Sequence, residues 1–217
     1  MDNRIVNPPA NGRQAARARR REQLIEATIA AIARRGISQM TLTDVAREAG
    51  VSHGLVNFHF ETKERLLAET LRALSAEHRA NWEEALEKAG SSPEERLNAL
   101  ILAEFAAPVS KLERVSAWCS FWGEAQNRPL YLAQCSEDDA AYERAFERAC
   151  EALAREGGYD LDTRRAARLL RLAIEGVWLE LMFSTQPYSE DEALRTVFFC
   201  AASLFPRHFT AEGLIRG

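Results

Sequence analysis

The chain has 217 residues and a mass of 24.4 kDa, with 47% hydrophobic and 28% charged residues and a formal net charge of −4. That length buries a core without disulfide or metal staples, and the composition excludes disorder of the whole chain. The acidic balance, with a pI of about 5.7, argues at face value against a nucleic-acid binder, which usually carries basic charge.

Residues 1–13 are polar, carry Pro8-Pro9 and lack an apolar run of signal-peptide length. No stretch approaches the ~18 uncharged apolar residues that span a membrane, so a cytoplasmic location is expected. The chain then reads as helix after helix. Strand-like alternation is nearly absent, and the strong helix formers Ala, Leu, Glu and Arg dominate. About nine helices are expected, over 14–35, 43–49, 53–59, 62–89, 93–106, 110–126, 129–156, 162–184 and 189–205. Ser92/Glu95, Ser110/Glu113 and Ser189/Glu192 have capping-box spacing. Gly36, Gly50, Gly90 and Gly157-Gly158 are expected stops. The fold class is therefore all-α. A basic N-terminal arm (1–18) is expected before a three-helix domain (19–62), with the remainder (63–217) a larger helical bundle. The long fourth helix would run roughly 40 Å and connect the two.

Residues 43–59 give two short helices joined by a tight turn. Thr43 can cap the first, Val45, Ala46 and Ala49 face inward, Gly50 ends it, Val51 fills the core and Ser52 caps the second. That is a helix-turn-helix pattern, whose second helix is a candidate for the major groove. The wider context includes Ile25-Glu26-Ala27-Thr28, Thr41 through Ser52, Gly54, His59-Phe60, Lys63 and Leu66-Leu67. Over roughly residues 20–67 it resembles the TetR family of one-component repressors. The residue chemistry suits DNA. Thr41, Thr43 and Ser52 stand at helix ends that favour phosphate, Gly54 permits close approach, and Lys63 can neutralise a phosphate. His53 and Asn57 are expected to point outward, with His59 at a phosphate. Asn57 replaces a Tyr common in the family, and Phe58 stands where a polar residue is frequent. Ahead of the first helix, Arg13, Arg17, Arg19, Arg20 and Arg21 precede any acid except Asp2. This run is read as a DNA contact rather than a merely solvated face.

Farther on, Leu169–Phe183 is apolar on nearly every side, and helix 189–205 behaves similarly. The natural partner is a second copy, giving a four-helix dimer interface. Leu170, Val177, Leu181, Leu194, Phe198 and Ala201 are expected in it, an arrangement the family resemblance also implies. Trp118, Phe121 and Trp122 share one helix face, and Glu175 lies a turn before Trp178. Aromatics at such spacing also serve as plain core. Read as a ligand site, tryptophan faces and a carboxylate suit a cation. Ala117–Trp122 and Ile174–Leu179 resemble paired segments of the BetI branch of the family, which represses choline-to-glycine-betaine genes and is relieved by choline. In that branch an Asp commonly stands where Glu175 is, and an Arg where Glu180 is. Were Glu180 to face the pocket, its added charge would favour a cation or polyamine.

Cys119, Cys135, Cys150 and Cys200 form no C-x-x-C pair and are read as reduced core residues. His53 and His59 have no third ligand beside them, so no metal site is expected, nor any cofactor. No catalytic constellation suggests an enzyme. The expected function is a ligand-responsive repressor that binds palindromic double-stranded operator DNA as a homodimer. The effector is expected to be a small cationic or quaternary ammonium compound, with a neutral apolar ligand as the alternative. A helical binding module without DNA recognition is the more distant reading. The net charge also resolves by region. Residues 1–60 hold nine Arg against five acids, +4, while the rest carries −8.

Overall fold

A computed structural model describes residues 10–124 and 128–215, with side chains from residue 12 onward. Among them run α1 (Ala10–Gln39), α2 (Leu42–Glu48), α3 (His53–Phe60), α4 (Lys63–Lys88), α5 (Pro93–Ala103), α6 (Leu112–Gly123), α7 (Arg128–Gly157), α8 (Thr163–Phe183) and α9 (Glu190–Leu204). A short antiparallel hairpin, β1 (Phe209–Thr210) and β2 (Gly213–Leu214), pairs Phe209 with Leu214. Two-residue strands are too short to leave a periodic signal, so the hairpin was not anticipated. No helix among the described residues is long and apolar enough to cross a membrane.

The chain divides into two compact units, 1–73 and 74–217. The division falls inside α4 rather than at residue 62, because Leu66, Leu67 and Leu71 in the first turns of α4 are buried in the N-terminal unit. That unit has a core of Leu24, Ile32, Ile37, Met40, Val45, Val56 and Phe60, with α2 packed on α1 and α3 on α2. Gly36 breaks α1 with φ 72°, a conformation that costs a residue bearing a Cβ. The helical backbone extends N-terminally to Ala10, so residues 10–18 form the first turns of α1 instead of an arm before it. Residues 1–9 lie outside the described residues.

The caps are partly as expected. Thr41, not Thr43, caps α2: its extended backbone and Asp44 three residues later form a reciprocal capping box, which leaves Thr43 exposed inside the helix. Ser52, Ser92 and Ser189 cap α3, α5 and α9. Ser110 does not cap α6, which begins at Leu112 after Lys111 without a side-chain cap.

The C-terminal unit packs α7 against α5 and α8, and α8 against α9. Its core includes Trp82, Leu97, Ile101, Phe146, Leu153, Leu170, Val197, Phe198 and Phe205. Burying each such Leu or Phe contributes roughly 1.5–3 kcal/mol. All four cysteines are free. Burial pushes the Cys150 thiol up to about 12, so it serves as an unreactive packing residue.

Candidate functional site

The outer face of α3 is assembled locally. Ser52 Oγ accepts the Leu55 N–H at 3.3 Å, and Asn57 Nδ2 lies 3.3 Å from His53 Nδ1. Gly54 is exposed, and a Cβ there would meet nothing within 4 Å, so packing inside the unit does not require glycine. Beside these, Phe58 is 67% exposed, with the Arg17 guanidinium 5.7 Å from its ring centroid. Arg19 is exposed, and Arg20 donates to Gln23 Oε1 at 2.6 Å. Arg21 turns the other way. It lies 4.8 Å over Phe60 and pairs with Glu69 at 2.9 Å.

Three expected contacts are occupied or hidden. His59 lies with Val56 and Phe60 on the buried face of α3, and its Nδ1 has no partner among the described residues. Burial first, then the charges of Arg17, Arg21 and Arg20, lower its pKa and keep the ring neutral. It is a core residue, not a phosphate ligand. Lys63 Nζ donates to the Ile37 and Ser38 carbonyls at 2.7 and 3.3 Å, closing the chain after the Gly36 break. The Thr41 hydroxyl donates to Asp44 at 2.7 Å, and Thr41 is the main cause of the lowered Asp44 pKa.

The C-terminal unit holds a cavity of about 490 Å³. Trp118 and Trp122 on α6 stack at 5.9 Å, and Trp178 on α8 stacks on Phe105 at 5.2 Å. These tryptophans line the cavity with Glu175. Phe121 does not line it. One helical step away from Trp122, it is 1% exposed and buried in the core. Glu180 is likewise absent from the wall and accepts the Tyr188 hydroxyl at 3.0 Å.

Three carboxylates, Glu104, Asp139 and Glu175, face this cavity, against the bases His78 and Arg171. His78 Nε2 lies 2.9 Å from Glu104. Burial opposes protonation of this ring, but Glu104, with Asp139 and Asp138, outweighs it and raises the pKa. Burial raises the pKa of Glu175 and of Asp139, only partly offset by Arg171 and by Tyr131 respectively. A positive charge placed among these groups would reverse that penalty.

The expected dimer residues belong to the chain's own core. Leu170, Val177, Phe198 and Ala201 are buried, and Leu181 and Leu194 are half-buried against the same cluster. The opposite face of α8 exposes Leu169, Leu172, Gly176, Leu179 and Phe183, and α9 exposes Phe199. On α8 this stripe has the alternating three- and four-residue spacing of a coiled-coil seam.

Comparison with known proteins decides the family. The pattern of bacterial regulatory proteins of the tetR family matches residues 24–70, and that of the BetI-type transcriptional repressor C-terminal region matches residues 93–206. The chain belongs to the TetR family, with a BetI-type C-terminal region. The HTH-type transcriptional regulator BetI of Paraburkholderia xenovorans LB400 is 32% identical over 189 residues, covering 82% of this chain and 89% of the relative. Among solved structures, a transcriptional regulator of Pseudomonas aeruginosa PAO1 superposes with a TM-score of 0.73 at 27% identity, covering 87% of this chain and 91% of that one. A regulator of Saccharomonospora viridis in complex with choline shares the fold, with a TM-score of 0.71 at 22% identity over 83% of this chain and 94% of that one.

This TetR-family regulator is not an enzyme. Its helix-turn-helix is α2 and α3. Sequence reading missed His78, Glu104, Tyr131, Asp139, Tyr142 and Arg171, all in the cavity wall. They come from α4, the end of α5, α7 and α8, and of the six only Asp139 and Tyr142 lie within one helical turn. Only the inward face of α7, where Cys135, Tyr142 and Phe146 alternate with surface residues, gave a faint signal.

Proposed function

We propose that this regulator is a repressor that binds a palindromic operator as a homodimer and is released by a small cationic, quaternary ammonium compound. The cavity carries this reading: stacked tryptophans beside the carboxylates of Glu104, Asp139 and Glu175. The tryptophan faces attract a cation through the ring quadrupole, and Glu175 balances its charge. The choline complex of the Saccharomonospora viridis relative supports the same class.

On the DNA side, α3 enters the major groove, where His53, Gly54 and Asn57 meet the duplex. Arg17, Arg19, Arg20, Thr43 and Ser52 contact phosphate. Two such helices, roughly 34 Å apart, match successive major grooves. The second copy packs on the α8 stripe, where Gly176 allows close approach. Light scattering should find a dimer, and Leu172→Glu with Leu179→Glu should give the monomer mass; an unchanged dimer would place the interface elsewhere. α4 is the covalent path from cavity to head. Driving the population from 99:1 to 1:99 requires about 5.5 kcal/mol of differential binding.

The deciding experiment is a gel shift on the chain's own upstream DNA, with and without saturating tetramethylammonium or choline. Release of the wild type, and retention of the complex by Glu175→Gln, is the expected result. Operator affinity that ignores the amines would sink the effector reading.

A further inference from the structure

Among the described residues of the N-terminal unit, Phe58 is the one large apolar side chain left mostly exposed, at 67%. A lone exposed apolar residue needs no explanation by itself. The place of this one does. α3 buries Val56, His59 and Phe60. At about 100° per residue, Gly54 and Phe58 fall on the opposite side, one helical turn apart. They form the outermost line of α3, the helix that follows the tight turn of the helix-turn-helix.

The two residues complement each other. A Cβ at Gly54 would meet nothing within 4 Å, and glycine is a poor helix former. Neither packing nor helix formation inside the unit asks for it. What it leaves is a clear approach to the helix backbone beside an aromatic ring. That ring is held from two sides. The Arg17 guanidinium lies 5.7 Å from its centroid, and His59 packs edge-on at 5.4 Å with an interplanar angle of 88°. The cation makes the surroundings of Phe58 suit an anionic partner rather than a purely apolar protein face. A duplex meets both demands. Its phosphates are anionic, and the floor of its major groove carries one apolar group, the thymine C5-methyl. Apolar wedges that unstack bases work from the minor groove instead.

Resting on the reading above that α3 enters the major groove, we propose that Phe58 determines sequence specificity by packing on the C5-methyl of an operator thymine. Gly54 lets the helix come close enough for that contact, and Arg17 steadies the ring. A competition gel shift with the full-length protein and the chain's own upstream DNA tests this. Each thymine of the bound site is replaced in turn by uracil, which removes only the methyl group. At one thymine of a half-site the wild type should weaken about fourfold, the worth of one buried carbon. Phe58→Ala should bind the thymine and uracil forms of that site within about twofold of each other. Phe58→Leu, which stays apolar, should keep a preference for thymine, and it serves if Phe58→Ala does not fold. A wild type indifferent to every uracil would overturn the methyl contact while leaving α3 in the groove. The same thymine preference in Phe58→Ala would assign the methyl to another residue and overturn it too. If the wild type retains none of the upstream DNA, the groove reading falls and this inference with it.

Discussion

The two units treat a buried histidine in opposite ways. In the N-terminal unit, burial and then the guanidinium charges around it lower the pKa of His59. In the C-terminal unit, His78 is paired with a carboxylate and its pKa is raised. The surroundings follow the same division. The head gathers arginine beside α3, while the body gathers acids around a cavity. Each unit therefore holds an excess of one sign, suited to a partner of the other. A net charge of −4 averages these two environments and describes neither.

The sharpest way to break this contrast is to strip charge from the head. Changing Arg17, Arg19 and Arg20 together to Ala should lower the slope of log affinity against log salt by about 2.7, as three lost phosphate contacts require. Amine binding in the body should stay unchanged. A filter-binding series from low to moderate salt reads both quantities, and an unaltered slope would return these arginines to the role of solvated surface.

A smaller effect tests how the head is built. Thr41→Ala removes the capping box of α2 and should cost about 1 kcal/mol of stability in denaturant unfolding. Thr43→Ala, at an exposed position inside α2, should cost far less. Equal losses would contradict the assignment of the cap to Thr41.

The histidines provide the subtlest test, because their signs differ. Unfolded histidine titrates near ~6.5. His59 has a lowered folded pKa, so the head is fully stabilised above that value and loses stability as pH falls through it. His78 has a raised folded pKa, so its contribution is complete below ~6.5 and is lost as pH rises through the folded value. Amide exchange across this range should show protection near residue 59 falling toward acid and near residue 78 falling toward alkali. Glu104→Gln should flatten only the second trend.

These differences also explain what was legible in the sequence. The head's elements and most of its outward residues lie in one short stretch, so caps, turn and recognition helix were readable from neighbours. Beyond the α2 cap, which falls on Thr41 rather than Thr43, the errors there were errors of facing. His59 and Lys63 are polar, yet both are used internally, which only packing reveals. In the body, Trp118 with Trp122 and Glu175 with Trp178 each sit within a helical turn, and the family resemblance singled out both pairs as ligand candidates. Their partners Glu104, Asp139 and Tyr142 come from other parts of the chain, and only Asp139 and Tyr142 share a turn, on α7. The inward packing of Leu170, Val177, Phe198 and Ala201 was hidden for a related reason. On a helix apolar all round, periodicity does not say which side faces the chain's own core.

The helical start of α1 has one further consequence. A basic segment that stays unstructured until it meets DNA loses conformational freedom at the moment of binding, and that loss subtracts from affinity. Here residues 12–21 are already in a helix, with Arg17 against Phe58 and Arg20 bonded to Gln23. Their ordering cost falls on folding, so encounter with a duplex can proceed as the docking of a rigid, preorganised surface.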